Sequence, residues 1–232
     1  MSPALKTRLP FYQAALAQAH SDAFTGTFRA GFGWLGEQVK SAGTAPRLFD
    51  IGCGDGTWMA AARDMNIDVH GIDISDSFVD MCREKGLEVE LESAVLATPP
   101  AGTNAVTALG EVLAYAPAAF TPCALILSRT LPKGAVFIFD LPGPDTPETE
   151  TSVQGERWSL TSKTQVDGKR LTRTIQVDTK DGLSEEVHQQ TLFAADEVAD
   201  ILREFGFDVD ILKSYGPCWL LPGRFGILAR KT

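Results

Sequence analysis

"LFDIGCGDGTWMAAA", residues 48–62, is the stretch that decides the fold. It opens as a short apolar strand ending near Asp50 and Ile51. Gly52, Gly54 and Gly56 then mark a tight loop, and an alanine-rich helix begins. A strand, a glycine loop and a helix in that order form a ligand cradle. The loop lets backbone N–H groups approach a ligand, and the helix start favours electron-rich groups.

The neighbouring segments repeat the alternation. Strands are expected at 47–51, 68–74, 87–91, 104–109 and 135–141, the last almost wholly apolar like the buried middle of a parallel sheet. Helices are expected between them: from the glycine loop to about Asn66, then over "SDSFVDMCREKG" with Ser75 as N-cap and Gly86 as stop. "AAFTPCALILSRTLPKG" reads as helix with Pro122 in its first turn. Strands alternating with helices imply an α/β fold with a parallel sheet and right-handed crossovers. Residues 11–41 carry helical spacing broken by "SDAFTGT". Beyond a proline- and acid-rich link at 141–155 the period drops to two. Gly155 to Phe193 reads as a three-stranded antiparallel meander with Asp167-Gly168 and Asp181-Gly182 as its turns. A helix over 194–206 and two closing strands, "FDVDILKSYG" and "GRFGILARK", complete the chain.

Composition narrows the function. The 232 residues carry a net charge of −9 and no basic run, which speaks against a nucleic-acid partner. No apolar run approaches the roughly 20 residues of a membrane span, so no membrane partner is expected. The first twenty residues contain no continuous apolar core of a secretory signal, and a cytoplasmic location is expected. Cys53, Cys82, Cys123 and Cys218 form no CxxC pair and read as reduced thiols; no metal site is expected.

The loop itself is G-x-G-x-G. A dinucleotide fingerprint would carry a third glycine where this chain has Thr57. Asp50 just ahead of the loop would repel a pyrophosphate but welcome an ammonium group. Asp73, ending the second strand, stands at the distance expected of an acid that binds a ribose diol. The set favours a nucleoside with a cationic, phosphate-free tail, which is S-adenosylmethionine (SAM). "LFDIGCGDGTW", "GIDIS", "ESAV" and "AVTALGEVLAY", in this order, resemble the motifs of the class I SAM-dependent methyltransferases over roughly residues 47–141 and 194–230.

That resemblance implies a Rossmann-like seven-stranded methyltransferase sheet, mostly parallel with the last strand antiparallel, plus a small antiparallel insertion. It divides the chain into an N-terminal helical lid at 1–46, a SAM-binding core at 47–141 and 194–232, and an insertion at 142–193. It places Gly52, Cys53 and Gly54 against the methionine part of SAM, Asp50 near its ammonium, and Asp73 on the ribose hydroxyls. Ile74 would pack on adenine. Ser93 stands where many members carry an acid, which leaves Ala94 and Val95 as backbone readers of adenine. Gly110 and Glu111 would line the reaction centre. The product would be S-adenosylhomocysteine (SAH).

The acceptor is expected to be a small molecule, methylated at oxygen or nitrogen. The [N/D]-P-P-[Y/F] signature of nucleic-acid and glutamine methylases is absent after the fourth strand, which reads "GEVLAY". Pro122-Cys123 lies too far on for a cytosine methylase and reads as core. Tyr12 and His20 would close over the cofactor as a lid, although His20 would serve equally as a helix cap. Glu111 would act as a base or bond loop amides; Tyr115 would line the site or pack. Trp158, Arg173 and His188 are pocket candidates on the meander. Arg173 shares a face with Leu171 and Ile175 but is expected to pair with Glu185, and His188 is expected in solvent. Trp58 would pack the first core helix. The meander would roof the pocket, pair with a second copy as a homodimer, or both. Two other readings stay open: a SAM- or SAH-binding module without transfer, and a nicotinamide oxidoreductase, which lacks a Tyr-x-x-x-Lys pair here.

Overall fold

The computed structural model describes residues 11–23, 26–115 and 117–232; the first ten residues of the expected lid lie outside the described residues. Helices α1 (Ala14–Ala23) and α2 (Phe32–Ser41) precede the sheet. Then follow β1 (Arg47–Ile51), α3 (Thr57–Asp64), β2 (Asp68–Asp73), α4 (Asp76–Glu84), β3 (Val89–Leu91), β4 (Ala105–Ala108), α5 (Pro117–Thr130) and β5 (Val136–Pro142). After β5 come β6 (Thr149–Gln154), β7 (Trp158–Asp167), β8 (Arg170–Thr179) and β9 (Gly182–Thr191). The chain closes with α6 (Ala195–Glu204), β10 (Phe207–Leu212), β11 (Ser214–Tyr215), β12 (Cys218–Trp219) and β13 (Arg224–Lys231).

The main sheet has seven strands in the order β10-β13-β5-β4-β1-β2-β3. Only β13 runs antiparallel to its neighbours, β5 and β10. All seven residues of β5 are buried, as its apolar sequence requires. Alternate side chains feed two cores. Phe49, Phe137 and Phe139 pack with α5 and α6 on one face, while Leu48, Val136 and Ile138 pack with α2 and α3 on the other. Ser75 caps α4 by accepting from the Phe78 N–H at 3.3 Å, and Gly86, at φ +68, ends that segment. No helix among the described residues is long and apolar enough to cross a membrane.

Four expectations about the elements need correction. The insertion is a four-stranded sheet, not three, because β6 lies within the expected link. Thr149–Gln154 is almost entirely polar and exposed, so an edge strand there carries no apolar alternation to read. The two-residue hairpin loops are Gly168-Lys169 and Lys180-Asp181, one residue off the expected turns. Helix α5 starts at Pro117, which places Pro122 beyond its first turn. Finally, helix α1 begins at Ala14; Tyr12, at φ +46, stands outside it.

Candidate active site

The carboxyl ends of β1 and β4 diverge where the strand order reverses, and an open parallel sheet leaves its ligand crevice at such a point. Gly52, at φ +68, carries the loop after β1 under Val112, whose methyl groups would lie 2.6 Å from any added Cβ. Gly54, at φ +57, has nothing within 4 Å of such a Cβ, so its backbone borders open space that a ligand can enter. The Gly52 and Cys53 N–H groups donate to Ile72 C=O at 2.8 and 3.0 Å, which ties the loop to β2. Asp73 accepts from the Gly54 N–H at 2.9 Å and from the Ser75 N–H at 2.8 Å. Burial pushes its carboxyl up, opposed by these backbone bonds. Ile74 beside it is 46% exposed, an apolar surface left open on the crevice wall. Ser93 accepts from the Val95 N–H at 3.3 Å and so caps the short turn Ala94–Leu96.

Asp50 is buried at the end of β1 and accepts from the Thr107 hydroxyl at 2.6 Å. The Trp58 indole N–H, which can only donate, occupies the Thr107 oxygen at 3.2 Å. The single Thr107 proton is therefore committed to Asp50. Burial raises the Asp50 carboxyl to about 7; the Thr107 bond opposes this and neighbouring Asp73 adds to it. A cation in the crevice would return it to the carboxylate form.

The loop after β4 is bent by two consecutive positive φ values, +87 at Gly110 and +63 at Glu111. Asp140 of β5 holds the bend, accepting from the Gly110 and Glu111 N–H groups at 2.8 and 3.1 Å and from the Tyr215 hydroxyl at 3.1 Å. Burial lifts Asp140 to about 6, although Arg224 pulls the other way. The Glu111 side chain accepts from Arg173 Nη1 at 2.7 Å and Gln190 Nε2 at 3.2 Å, while its other oxygen pairs with Arg224 Nε at 2.6 Å. Burial alone would raise Glu111, but Arg224 and Arg173 overcome it and hold the carboxyl below its usual range. Glu111 is thus an ionised anchor between two arginines. Arg173 does not pair with Glu185, which instead accepts from its register partner Gln176 at 2.8 Å.

The N-terminal segment is fastened to both walls. Leu16 and Ala19 of α1 pack on Trp158, Leu160, Ile175 and Val177 of the insertion. Ser21 donates to Asp55 of the glycine loop at 2.7 Å, and Trp158 Nε1 donates to Asp22 at 2.8 Å. Glu186 receives the N–H groups of Tyr12 and Gln13, both at 2.7 Å, and the Ser75 hydroxyl donates to Tyr12 C=O at 2.9 Å. Tyr12 and Tyr115 face each other with their hydroxyls 3.5 Å apart. Burial pushes both phenols up. It also lowers the His20 imidazole to about 4, which leaves this ring neutral.

These parts enclose one cavity of about 1530 Å³. Asp50, Gly52, Cys53, Gly54, Asp73, Ile74, Ser93, Ala94 and Gly110 line it, with Tyr12, His20, Glu111 and Tyr115; Val95 does not. Trp158 lies behind the lining, committed to Asp22. His188 is 2% exposed and lines the cavity, against the expected place in solvent. Trp58 packs on Phe32 at 5.2 Å and also reaches the lining. Sequence reasoning missed Thr107, Asp140 and Arg224. An aspartate inside the apolar run of β5 was a signal that could have found Asp140; Arg224 carried none.

Residues 48–128 match the family model of a methyltransferase domain. Among curated proteins nothing matches. Solved structures similar to this chain include the sugar N-methyltransferase KedS8 from Streptoalloteichus sp., at 20% identity and TM-score 0.76, covering 100% of this chain and 98% of that one. SAM-bound CalS10 from Micromonospora echinaspora, an amino pentose methyltransferase, is 17% identical with TM-score 0.72, covering 97% and 100%. A SAM-dependent methyltransferase from Clostridium acetobutylicum is 13% identical with TM-score 0.76, covering 93% and 97%. At such identities the likeness carries the fold; the domain match and the glycine loop carry the rest. Residues 48–128 thus form a methyltransferase domain, and the chain as a whole has the class I methyltransferase fold.

Proposed function

We propose that this enzyme transfers a methyl group to an oxygen or nitrogen of a small molecule held between the strand-four loop and the insertion sheet. One observation carries the reading: a single cavity of about 1530 Å³ joins the cofactor crevice to that sheet. Single-ligand pockets usually span roughly 300–1000 Å³, so this one has room for a cofactor and an acceptor together. The sugar and amino pentose acceptors named for two structural neighbours support a small, polar acceptor.

In this reading SAM supplies a methyl group on a positively charged sulfur. Gly54 gives its amino-acid part access to the backbone, Asp50 balances its ammonium, Asp73 takes the ribose, and Ile74 with Ala94 flanks the base. Tyr12 and His20 close the site from α1 and its approach. Arg173 and Arg224, fixed by Glu111, form the far wall, where polar groups of an acceptor find donors. The chain's main contribution is alignment and exclusion of water. The two outer strands of the insertion, β6 and β9, each leave one edge unpaired among the described residues, and pairing with a second copy there is our reading of the assembly.

Titration calorimetry with SAM and SAH tests the cofactor, and transfer of labelled methyl to a panel of small alcohols, phenols and amines tests the reaction. Binding without any transfer would favour a non-catalytic module. A thermal shift with NAD(P) and none with SAM would overturn the reading.

A further inference from the structure

The cavity is divided by charge. The acidic side chains Asp50, Asp73 and Glu92 stand at or just after the ends of β1, β2 and β3. The two arginines of the lining, Arg173 and Arg224, stand on β8 and β13, and no lysine joins them. An acidic end suits a cationic cofactor, and a basic end attracts an anion. The basic end stays positive even after its own pairing. Arg173 Nη1 and Arg224 Nε lie 2.7 and 2.6 Å from the two oxygens of Glu111, the one carboxylate either arginine pairs with among the described residues. Residues 1–10, 24, 25 and 116, outside the described residues, contain no aspartate or glutamate, so no further side-chain carboxylate comes from them. Asp140 stands behind the bend, 0% exposed and outside the lining, with its oxygens spent on the Gly110 and Glu111 N–H groups and the Tyr215 hydroxyl. Two guanidiniums therefore share one carboxylate at the cavity wall.

The surplus charge is also accessible. The Glu111 side chain is 1% exposed, whereas those of Arg173 and Arg224 are 17% and 16% exposed. A guanidinium carries five N–H donors in a planar fork. Glu111 and Gln190 take Nη1 of Arg173, and Glu111 takes Nε of Arg224. Each fork is thus fixed at one nitrogen, with further donors on the others. Two forks held in place beside each other are preorganised for an oxyanion. Thr164 is the cross-strand partner of Arg173, and Thr149 that of Thr164; both line the cavity and carry hydroxyls along the same row. One surplus positive charge matches a carboxylate. A phosphate monoester, with nearly two negative charges at neutral pH, would overfill it.

We infer that the acceptor is a small acid whose carboxylate is held by Arg173 and Arg224, and that the oxygen or nitrogen to be methylated is another atom of the same molecule. The inference rests on the proposed methyl transfer. Glu111 is a positioning residue: it sets the planes of both forks and cancels one of their charges. The carboxylate is the handle that fixes how the acceptor lies against the cofactor end of the cavity. A neutral amide of the same shape leaves the surplus charge unpaired and is rejected for that reason.

An acid and its amide on one skeleton separate charge from shape. Phe11, Tyr12 and Tyr115 line the same cavity, so benzoate skeletons serve as probes. Titration of benzoate, benzamide and phenyl phosphate into SAH-saturated wild-type protein reads the preference without turnover, and benzoate should bind most tightly. Transfer of labelled methyl to hydroxybenzoates and aminobenzoates should exceed transfer to their carboxamides about 10–100-fold in kcat/KM. R173Q and R224Q should each shrink that acid-to-amide ratio to a few-fold, with SAH affinity retained. An arginine with a merely structural role would slow both substrates alike and leave the ratio unchanged. The wild-type comparison stands even where a variant fails to fold. Equal binding of benzoate and benzamide, binding of neither, tighter binding of phenyl phosphate, or a ratio untouched in both variants overturns the assignment. Transfer to amides as good as to acids would sink the carboxylate handle and leave methyl transfer standing; failure to bind SAH would sink methyl transfer itself.

Discussion

The two walls of the cavity are built on opposite rules. On the wall of β1, β2 and β4, each key group sits at a strand end, and neighbouring backbone places it: Asp73 holds the Gly54 and Ser75 N–H groups. On the insertion wall the groups come from distant strands and meet only through register. The row Thr149, Thr164, Arg173 and His188 runs across four strands, and Arg173 reaches a carboxylate 62 residues away. The first wall is a local motif, in which a substitution should remove a contact to the proposed cofactor. The second is a network in which a substitution strands a charge.

That contrast can be broken most sharply at Glu111, where the walls join. Glu111→Gln leaves Arg173 and Arg224 without their shared counter-charge and should cost roughly 3–5 kcal/mol of stability, read by denaturant unfolding. An unchanged midpoint would mean that the network is not the keystone of the far wall.

Asp73→Ala is next. It should weaken SAM binding by at least about 100-fold, since each lost charge-assisted hydrogen bond is worth about 1.5–3 kcal/mol. Calorimetry checks this, and unchanged affinity would remove Asp73 from the cofactor site.

Asp50 gives a smaller effect with a definite sign. Its carboxyl is raised to about 7 in the fold, against about 3.9 in an unfolded chain. Between these values the folded protein holds a proton that the unfolded chain has lost. Ligand-free stability therefore falls as pH rises across that window and levels off above it. The SAM ammonium selects the carboxylate, so affinity should rise up to about tenfold per pH unit below 7. Asp50→Asn should flatten both slopes; a SAM affinity independent of pH in the wild type would separate Asp50 from the ammonium.

The smallest effect lies on the outer face of β9. Val187, 55% exposed, should tolerate Val187→Ser within about 0.5 kcal/mol. A large loss in thermal unfolding would show that this apolar face is covered in solution.

Legibility followed the same division. The glycine loop, the Ser75 cap and the apolar β5 were readable because strand ends, caps and buried runs depend on residues within a few positions of each other. The insertion was not. β6 has no apolar alternation, and β9 is inverted, with Leu183 and Val187 outside and Glu186, His188 and Gln190 inside. Read by hydropathy alone, such a strand faces the wrong way, which is why His188 was expected in solvent and Arg173 beside Glu185. The partners that turn β9 inward, Tyr12 and Gln13 N–H on Glu186 and Arg173 on Gln190, lie 17 to 174 residues away.

By itself the amino-acid sequence determined the α/β class, the strand–loop–helix unit around the three glycines, and the choice of a sulfonium nucleoside over a dinucleotide. Each follows from short-range sterics and from the charge of Asp50 and Asp73. Only the tertiary structure decided what Glu111 does, which face of β9 is buried, and how α1 joins the two walls. Those outcomes depend on desolvation and ion pairing between segments far apart in the chain. Burial raises Asp50, while two arginines outweigh burial at Glu111 and keep it charged, and no local pattern distinguishes the two carboxylates before the chain has folded around them.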